Sequence, residues 1–110
     1  MIKITIEFIG DAISSIQASG HSGYAVSGSD IICSAVSTLT QNCEKGLKEL
    51  LLIDTDFVLD EETPYLKVSL PKDLDEIKMH DAQIMMKSTY LGLKDLADSY
   101  PKYINIKEKR

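Results

Sequence analysis

The strongest structural signal in the sequence is a helical period between residue 30 and about residue 51. Apolar side chains recur there every three or four positions, which places them on one face of an α-helix. The residues on this face are Ile32, Val36, Leu39, Cys43, Leu47 and Leu50. The pattern predicts an amphipathic helix that packs this face on another layer of the protein.

The segments on either side of this helix predict that the other layer is a β-sheet. Residues 2–8 and 12–19 are typical of two strands joined by a turn at Gly10 and Asp11. Residues 53–59 and 65–70 also alternate in polarity, around an acidic turn at residues 60–64. Two hairpins of this kind indicate mainly antiparallel pairing.

A second long helix is predicted over residues 73–99, and a last short strand over residues 103–106, with Pro101 between them. The apolar surface of this helix would come from Leu74, Ile77, Ile84, Met85, Leu91, Leu93 and Leu96. The element order is therefore ββαββαβ. It predicts an α+β fold, a two-layer sandwich in which two long helices cover one face of a mainly antiparallel sheet.

Length and charge narrow the possible functions. At 110 residues we expect a single domain spanning residues 1–110. The net charge of −5 argues against a direct nucleic-acid partner and suits a partner that is itself basic. The N-terminal segment alternates in polarity and predicts neither a signal peptide nor a membrane span, so we expect a cytoplasmic protein with reduced thiols.

The two cysteines, Cys33 and Cys43, lie on the first predicted helix. At ten residues apart their Cα atoms would be separated by about 15 Å, whereas a disulfide needs less than about 7 Å. The sequence therefore predicts two free thiols. Cys43 belongs to the apolar face and is expected in the core, whereas Cys33 lies off that face, within the first turn.

The position of Cys33 suggests a reactive thiol. Either Ser29 or Asp30 can cap the helix, and the positive end of the helix dipole favours the thiolate form. The negative charge of Asp30 works against the thiolate unless the cap absorbs that charge or it faces a protonated histidine. His21 lies upstream, in a segment that can fold back over the helix start because of its glycines. These glycines are Gly20, Gly23 and Gly28.

Such a cysteine–histidine pair is the usual activated form of a cysteine nucleophile, and backbone N–H groups around Cys33 could then serve as an oxyanion hole. Two other interpretations fit the same residues. One is a non-catalytic peptide-binding or assembly module that uses the glycine-rich segment as a clamp. The other is a redox sensor, for which Cys43 lies on the wrong part of the helix.

No cofactor or metal is predicted. The glycines lack the spacing of a phosphate-binding loop, and no basic residue accompanies them. The candidate zinc ligands His21, Cys33, Cys43 and His80 form no closely spaced pairs. His80 is expected to be an exposed helix residue, and the alternating aspartates Asp54, Asp56 and Asp60 are expected on a solvated sheet face.

The runs Gly-His-Ser-Gly-Tyr-Ala at residues 20–25 and Gly-Ser-Asp-Ile-Ile-Cys-Ser-Ala-Val-Ser at residues 28–37 resemble the signature of the ribosomal-processing cysteine protease family, Prp. The family pattern is Gly-His-x-Gly-Tyr-Ala followed, at this separation, by an Asp-Ile-Val-Cys-Ala type of helix start. The chain departs from it at Ile32 and Ser34, and neither position takes part in the expected chemistry.

The resemblance implies a cytoplasmic bacterial endopeptidase that removes a short N-terminal extension from large-subunit ribosomal protein twenty-seven. It implies Cys33 as the nucleophile, His21 as its base and Asp30 as a supporting residue that caps the helix or orients the histidine. It also implies a homodimer, and a glycine-rich segment that stays mobile until substrate orders it.

Overall fold

The computed structural model describes residues 1–21, 23 and 30–110. The strands are β1 (Ile2–Ile9), β2 (Ala12–Ser19), β3 (Asp56–Asp60), β4 (Tyr65–Ser69) and β5 (Ile104–Lys109), and the helices are α1 (Ile31–Lys45) and α2 (Glu76–Ser99). A short π-helical segment, Gly46–Leu50, continues α1. The order ββαββαβ and the α+β class are confirmed.

The five strands form one sheet in the order β3-β4-β2-β1-β5. Strand β1 pairs with β2, β2 with β4, and β4 with β3, each in antiparallel orientation. Strand β5 pairs with β1 in parallel, because α2 carries the chain over the sheet before β5 begins. The sheet is thus mixed at one edge and otherwise antiparallel, as the two hairpins predicted.

One face of the sheet carries the core. In β1 the side chains of Ile2, Ile4 and Ile6 alternate with more exposed residues and are buried, and α1 contributes buried side chains to the same core. The exception on α1's predicted face is Leu50, which is 77% exposed. The π-helical segment has more residues per turn than an α-helix, so it rotates the side chains that follow out of the predicted stripe.

Helix α2 packs on the core with part of its predicted apolar surface: Leu93 is buried, and Met85 and Leu96 are partly buried against the core. Its buried residues are Ala82, Met86, Thr89 and Leu93. Of the predicted apolar surface, Ile77, Ile84 and Leu91 are instead 76%, 59% and 61% exposed. Large apolar residues occur on more than one side of α2, and the sequence pattern alone does not separate the buried side from the exposed one. No helix within the described ranges is long and apolar enough to span a membrane.

Candidate active site

The start of α1 is fixed by Asp30. This residue has extended backbone angles, and its Oδ1 atom accepts hydrogen bonds from the backbone N–H groups of Ile32 and Cys33, both at 3.0 Å. The Asp30 side chain is almost fully buried, so the cap is shielded from water. Capping satisfies backbone donors that the first helical turn cannot pair internally, and it sets where Cys33 stands relative to the sheet.

The same cap engages the backbone N–H groups that the sequence suggested for an oxyanion hole. The N–H groups of Ile32 and Cys33 are donated to the Asp30 carboxylate, and the N–H of Ser34 is donated to the Asp30 carbonyl at 3.1 Å. With Asp30 in place, these three groups are already paired. An oxyanion hole around Cys33 therefore stays a prediction.

The two cysteines have the predicted free thiols, in contrasting surroundings. Cys43 is 1% exposed, and its Sγ lies 3.7 Å from the Met86 sulfur. Burial raises the pKa of the Cys43 thiol, which keeps it protonated at neutral pH. Cys33 is only partly buried, so it is the more accessible of the two thiols.

Cys33 lines a cleft of about 240 Å³ between α1 and one end of the sheet. His21 lines the same cleft, and it is separated from the end of β2 at Ser19 only by Gly20. Ser37 and Gln41, on the following turns of α1, line the cleft as well. The structure therefore brings Cys33 and His21 to one cavity. Asp30 lies at the helix cap, Gly23 has a left-handed backbone, and Gly28 falls outside the described residues.

Gly20 places the histidine segment against the sheet. Its N–H donates to the carbonyl of Pro64 at 2.9 Å, and its φ of +87° lies in the left-handed region that favours glycine. A Cβ atom at this position would lie 2.7 Å from the backbone oxygen of Met1. The close approach of three chain segments therefore requires glycine immediately before His21.

The opposite wall of the cleft comes from the hairpin between β3 and β4, which sequence reasoning did not place at the site. Asp60 and Glu61 at its tip line the cleft together with the start of β4. The Asp60 carboxylate accepts hydrogen bonds from the backbone N–H groups of Glu62 and Thr63 and from the Thr63 hydroxyl. The bonds from Thr63 and Glu62 hold the pKa of Asp60 below its usual value.

The other residues that the sequence analysis considered as ligands or charged groups lie on the surface. His80 is exposed on α2, as predicted, with its Nδ1 3.2 Å from the Asp81 carboxylate. Asp54 and Asp56 are exposed as well. Among the residues described, no cluster of three or more histidine, cysteine, aspartate or glutamate side chains is arranged to hold a metal ion.

A cysteine and a histidine thus line one cleft of a mixed α+β sandwich, a combination that is typical of thiol enzymes. Over residues 1–105 the sequence matches the family model described as cysteine protease Prp. The chain belongs to the Prp family of cysteine proteases. No curated protein sequence gives a significant match.

Solved structures share this fold. A crystal structure of a Streptococcus mutans protein is similar at 29% identity, with a TM-score of 0.84 over 99% of this chain and 94% of that one. An essential ribosomal processing protease Prp from S. aureus, in complex with a covalently linked product peptide, gives a TM-score of 0.88 at 17% identity, over 99% of this chain and all of that one. The S. aureus protease in complex with a substrate peptide gives 0.83 at 16% identity, over the same shares.

Proposed function

We propose that this chain is a cytoplasmic cysteine endopeptidase that removes the N-terminal extension of large-subunit ribosomal protein twenty-seven. One domain, residues 1–110, would carry the whole activity. The observation that carries the proposal is that the accessible thiol of Cys33 and the imidazole of His21 line one cleft in a member of a cysteine protease family.

In the proposed reaction the Cys33 thiolate attacks the scissile carbonyl and forms a thioester as the peptide bond breaks. His21 protonates the leaving amine, and afterwards it takes a proton from the water that hydrolyses the thioester. Asp30 supports the attack by Cys33 because it caps α1 and so holds this cysteine at the positive end of the helix dipole.

The direct test is mass spectrometry of N-terminally extended ribosomal protein twenty-seven after incubation with the protein. We expect one truncation with the wild-type enzyme and none with Cys33→Ala or His21→Ala. Cys43→Ala is the matched control, because it removes the other thiol from the same helix and should leave cleavage intact. Turnover that persists in Cys33→Ala would overturn the assignment of the nucleophile.

A second candidate is the peptide-binding module without catalysis. The observation that favours it is the helix cap, since the Asp30 carboxylate occupies N–H groups that a protease could use to stabilise an oxyanion. In that case the extended substrate would bind with measurable affinity and stay intact with every variant. Binding without truncation would therefore favour the module over the protease.

We also propose that the protein acts as a homodimer that pairs through α2. Three large apolar side chains, Ile77, Ile84 and Leu91, are exposed on this helix at intervals of seven residues. Seven residues are close to two helical turns, so these side chains form one stripe along the helix. Antiparallel pairing with a second copy would place Ile84 opposite itself and Ile77 opposite Leu91, and would remove all three from water.

A further inference from the structure

Apart from His21, the charged side chains that line the cleft are acidic. Besides His21, the titratable acidic side chains Asp60 and Glu61 line it, and no lysine or arginine does so within the described part of the chain. The intervening sequence from residue 22 to residue 29 contains no charged side chain. The wall of the cleft opposite α1 is therefore negative. Neither the described lining residues nor residues 22–29 contain a lysine or arginine that would neutralise it.

The two carboxylates of this wall are held differently. Asp60 is engaged through both of its oxygens by the turn that follows it, with the Thr63 hydroxyl at 2.6 Å from Oδ2. Glu61 is exposed, and the described residues provide its carboxylate with neither a hydrogen bond nor an ion pair. Asp60 thus shapes the hairpin tip, whereas Glu61 can reorient toward a ligand in the cleft.

The surroundings of Glu61 suit a long cationic side chain. Leu59, Pro64 and Tyr65 line the cleft beside it and offer apolar surface. Lysine and arginine bury their aliphatic stems along such surfaces while they keep the charged group at a polar partner. An acidic or short polar side chain would gain neither contact.

Resting on the proposed function, we propose that Glu61 is a specificity-determining residue that selects peptides with a lysine or arginine close to the scissile bond. The hairpin tip would hold the basic side chain while the neighbouring carbonyl lies at Cys33. The pair remains near solvent, so its contribution is modest and depends on salt.

The test uses a set of peptides that span the cleavage site of the extended ribosomal protein, in which each basic residue is replaced in turn by norleucine. These peptides are compared on wild type, Glu61→Gln and Glu62→Gln. Glu62 is the matched control, because it is the next residue in the same exposed turn and does not line the cleft. Each peptide is also measured for binding to the Cys33→Ala variant, with and without Glu61→Gln.

At one of the basic positions of the peptide, the Glu61→Gln variant should show a KM about two- to fivefold higher than wild type for the peptide that keeps its lysine or arginine, with kcat little changed. The same variant should leave the norleucine peptide unaffected, and added salt should shrink the difference. Equal effects of Glu61→Gln and Glu62→Gln, or equal effects on basic and norleucine peptides, would overturn the proposal.

Binding separates this proposal from the proposed protease activity. If no peptide is cleaved, the protease proposal fails, and affinity for the Cys33→Ala variant still decides the role of Glu61. A two- to fivefold loss of affinity confined to the basic peptide would support that role. An unchanged affinity for every peptide would refute it.

Discussion

Cys33 and Cys43 are the same residue type on the same helix, and their surroundings separate them. Cys33 lies in the capped first turn and borders the cleft, whereas Cys43 packs against Met86 in the core. Burial raises the pKa of Cys43, so its reactive thiolate forms only as the pH rises above the ordinary range of a thiol. Position along one helix therefore gives one accessible and one protected thiol.

Alkylation should report this difference. With iodoacetamide at pH 7 we expect Cys33 to react at least about tenfold faster than Cys43, since Cys43 must first be exposed by local opening. Peptide mass spectrometry after timed quenching measures both rates in one sample. His21→Ala should change the pH dependence of the Cys33 rate if the two residues form a pair. Similar slow rates at both cysteines would instead favour the peptide-binding module.

The backbone conformation of Gly20 leads to a prediction about stability. Gly20→Ala should lower the free energy of unfolding by about 1–2 kcal/mol from its left-handed backbone, and by about 1–3 kcal/mol more from the clash with the Met1 carbonyl. Gly10→Ala is the matched control, because Gly10 also has a positive φ but has open space around it. Urea unfolding of both variants measures the difference, and equal losses would show that the close approach is unimportant.

The elements themselves were largely predictable from the sequence. Alternation in β1 and the three- to four-residue period of α1 reflect burial on one face, so both elements and their order could be predicted. The end of α1 could not, because the π-helical segment that turns Leu50 outward leaves no mark in the apolar pattern. The buried face of α2 was predicted only in part for a related reason, since Leu93 and Ile84 are both apolar and only packing buries one and exposes the other.

A partly buried hydrogen bond joins α1 to the segment before β3 and can be tested separately. The Thr55 hydroxyl donates to the carboxylate of Glu44, with its Oγ1 2.6 Å and 2.7 Å from the two oxygens, and Glu44 is buried. Thr55→Val leaves that carboxylate without this donor and should cost about 1–3 kcal/mol of unfolding free energy. Thr38→Val, an exposed position on α1, should change it by less than about 0.5 kcal/mol.

Comparable urea midpoints for Thr55→Val and Thr38→Val would contradict a role for this bond in holding α1 to the sheet. The comparison is fair because both changes replace a threonine hydroxyl with a methyl group of similar size. Only the Thr55 change affects a buried partner. A loss confined to Thr55→Val would therefore be assigned to the Glu44 contact.

At the scale of the whole molecule, the candidate site is formed by strand register. Tyr65 pairs with Ser19 on β2 and with Asp60 on β3, so the end of β2 and the tip of the β3–β4 hairpin lie side by side. Local sequence was enough to single out Cys33 and His21, because a capped helix start and a glycine-rich segment are local features. The wall that contains Glu61 was missed because register between distant strands leaves no comparable local signal.

The proposed dimer depends on the exposed apolar stripe of α2, and a charge placed in that stripe tests it. Ile84→Glu places a charge at the centre of the exposed apolar stripe on α2 and should convert the dimer to monomer, raising the dissociation constant at least about tenfold. Leu50→Glu is the control, since Leu50 is also exposed but lies on the π-helical segment. Light scattering during size-exclusion chromatography, over a range of concentrations, measures the mass of each protein. A monomeric wild type, or a dimer that persists in Ile84→Glu, would show that α2 is not the interface.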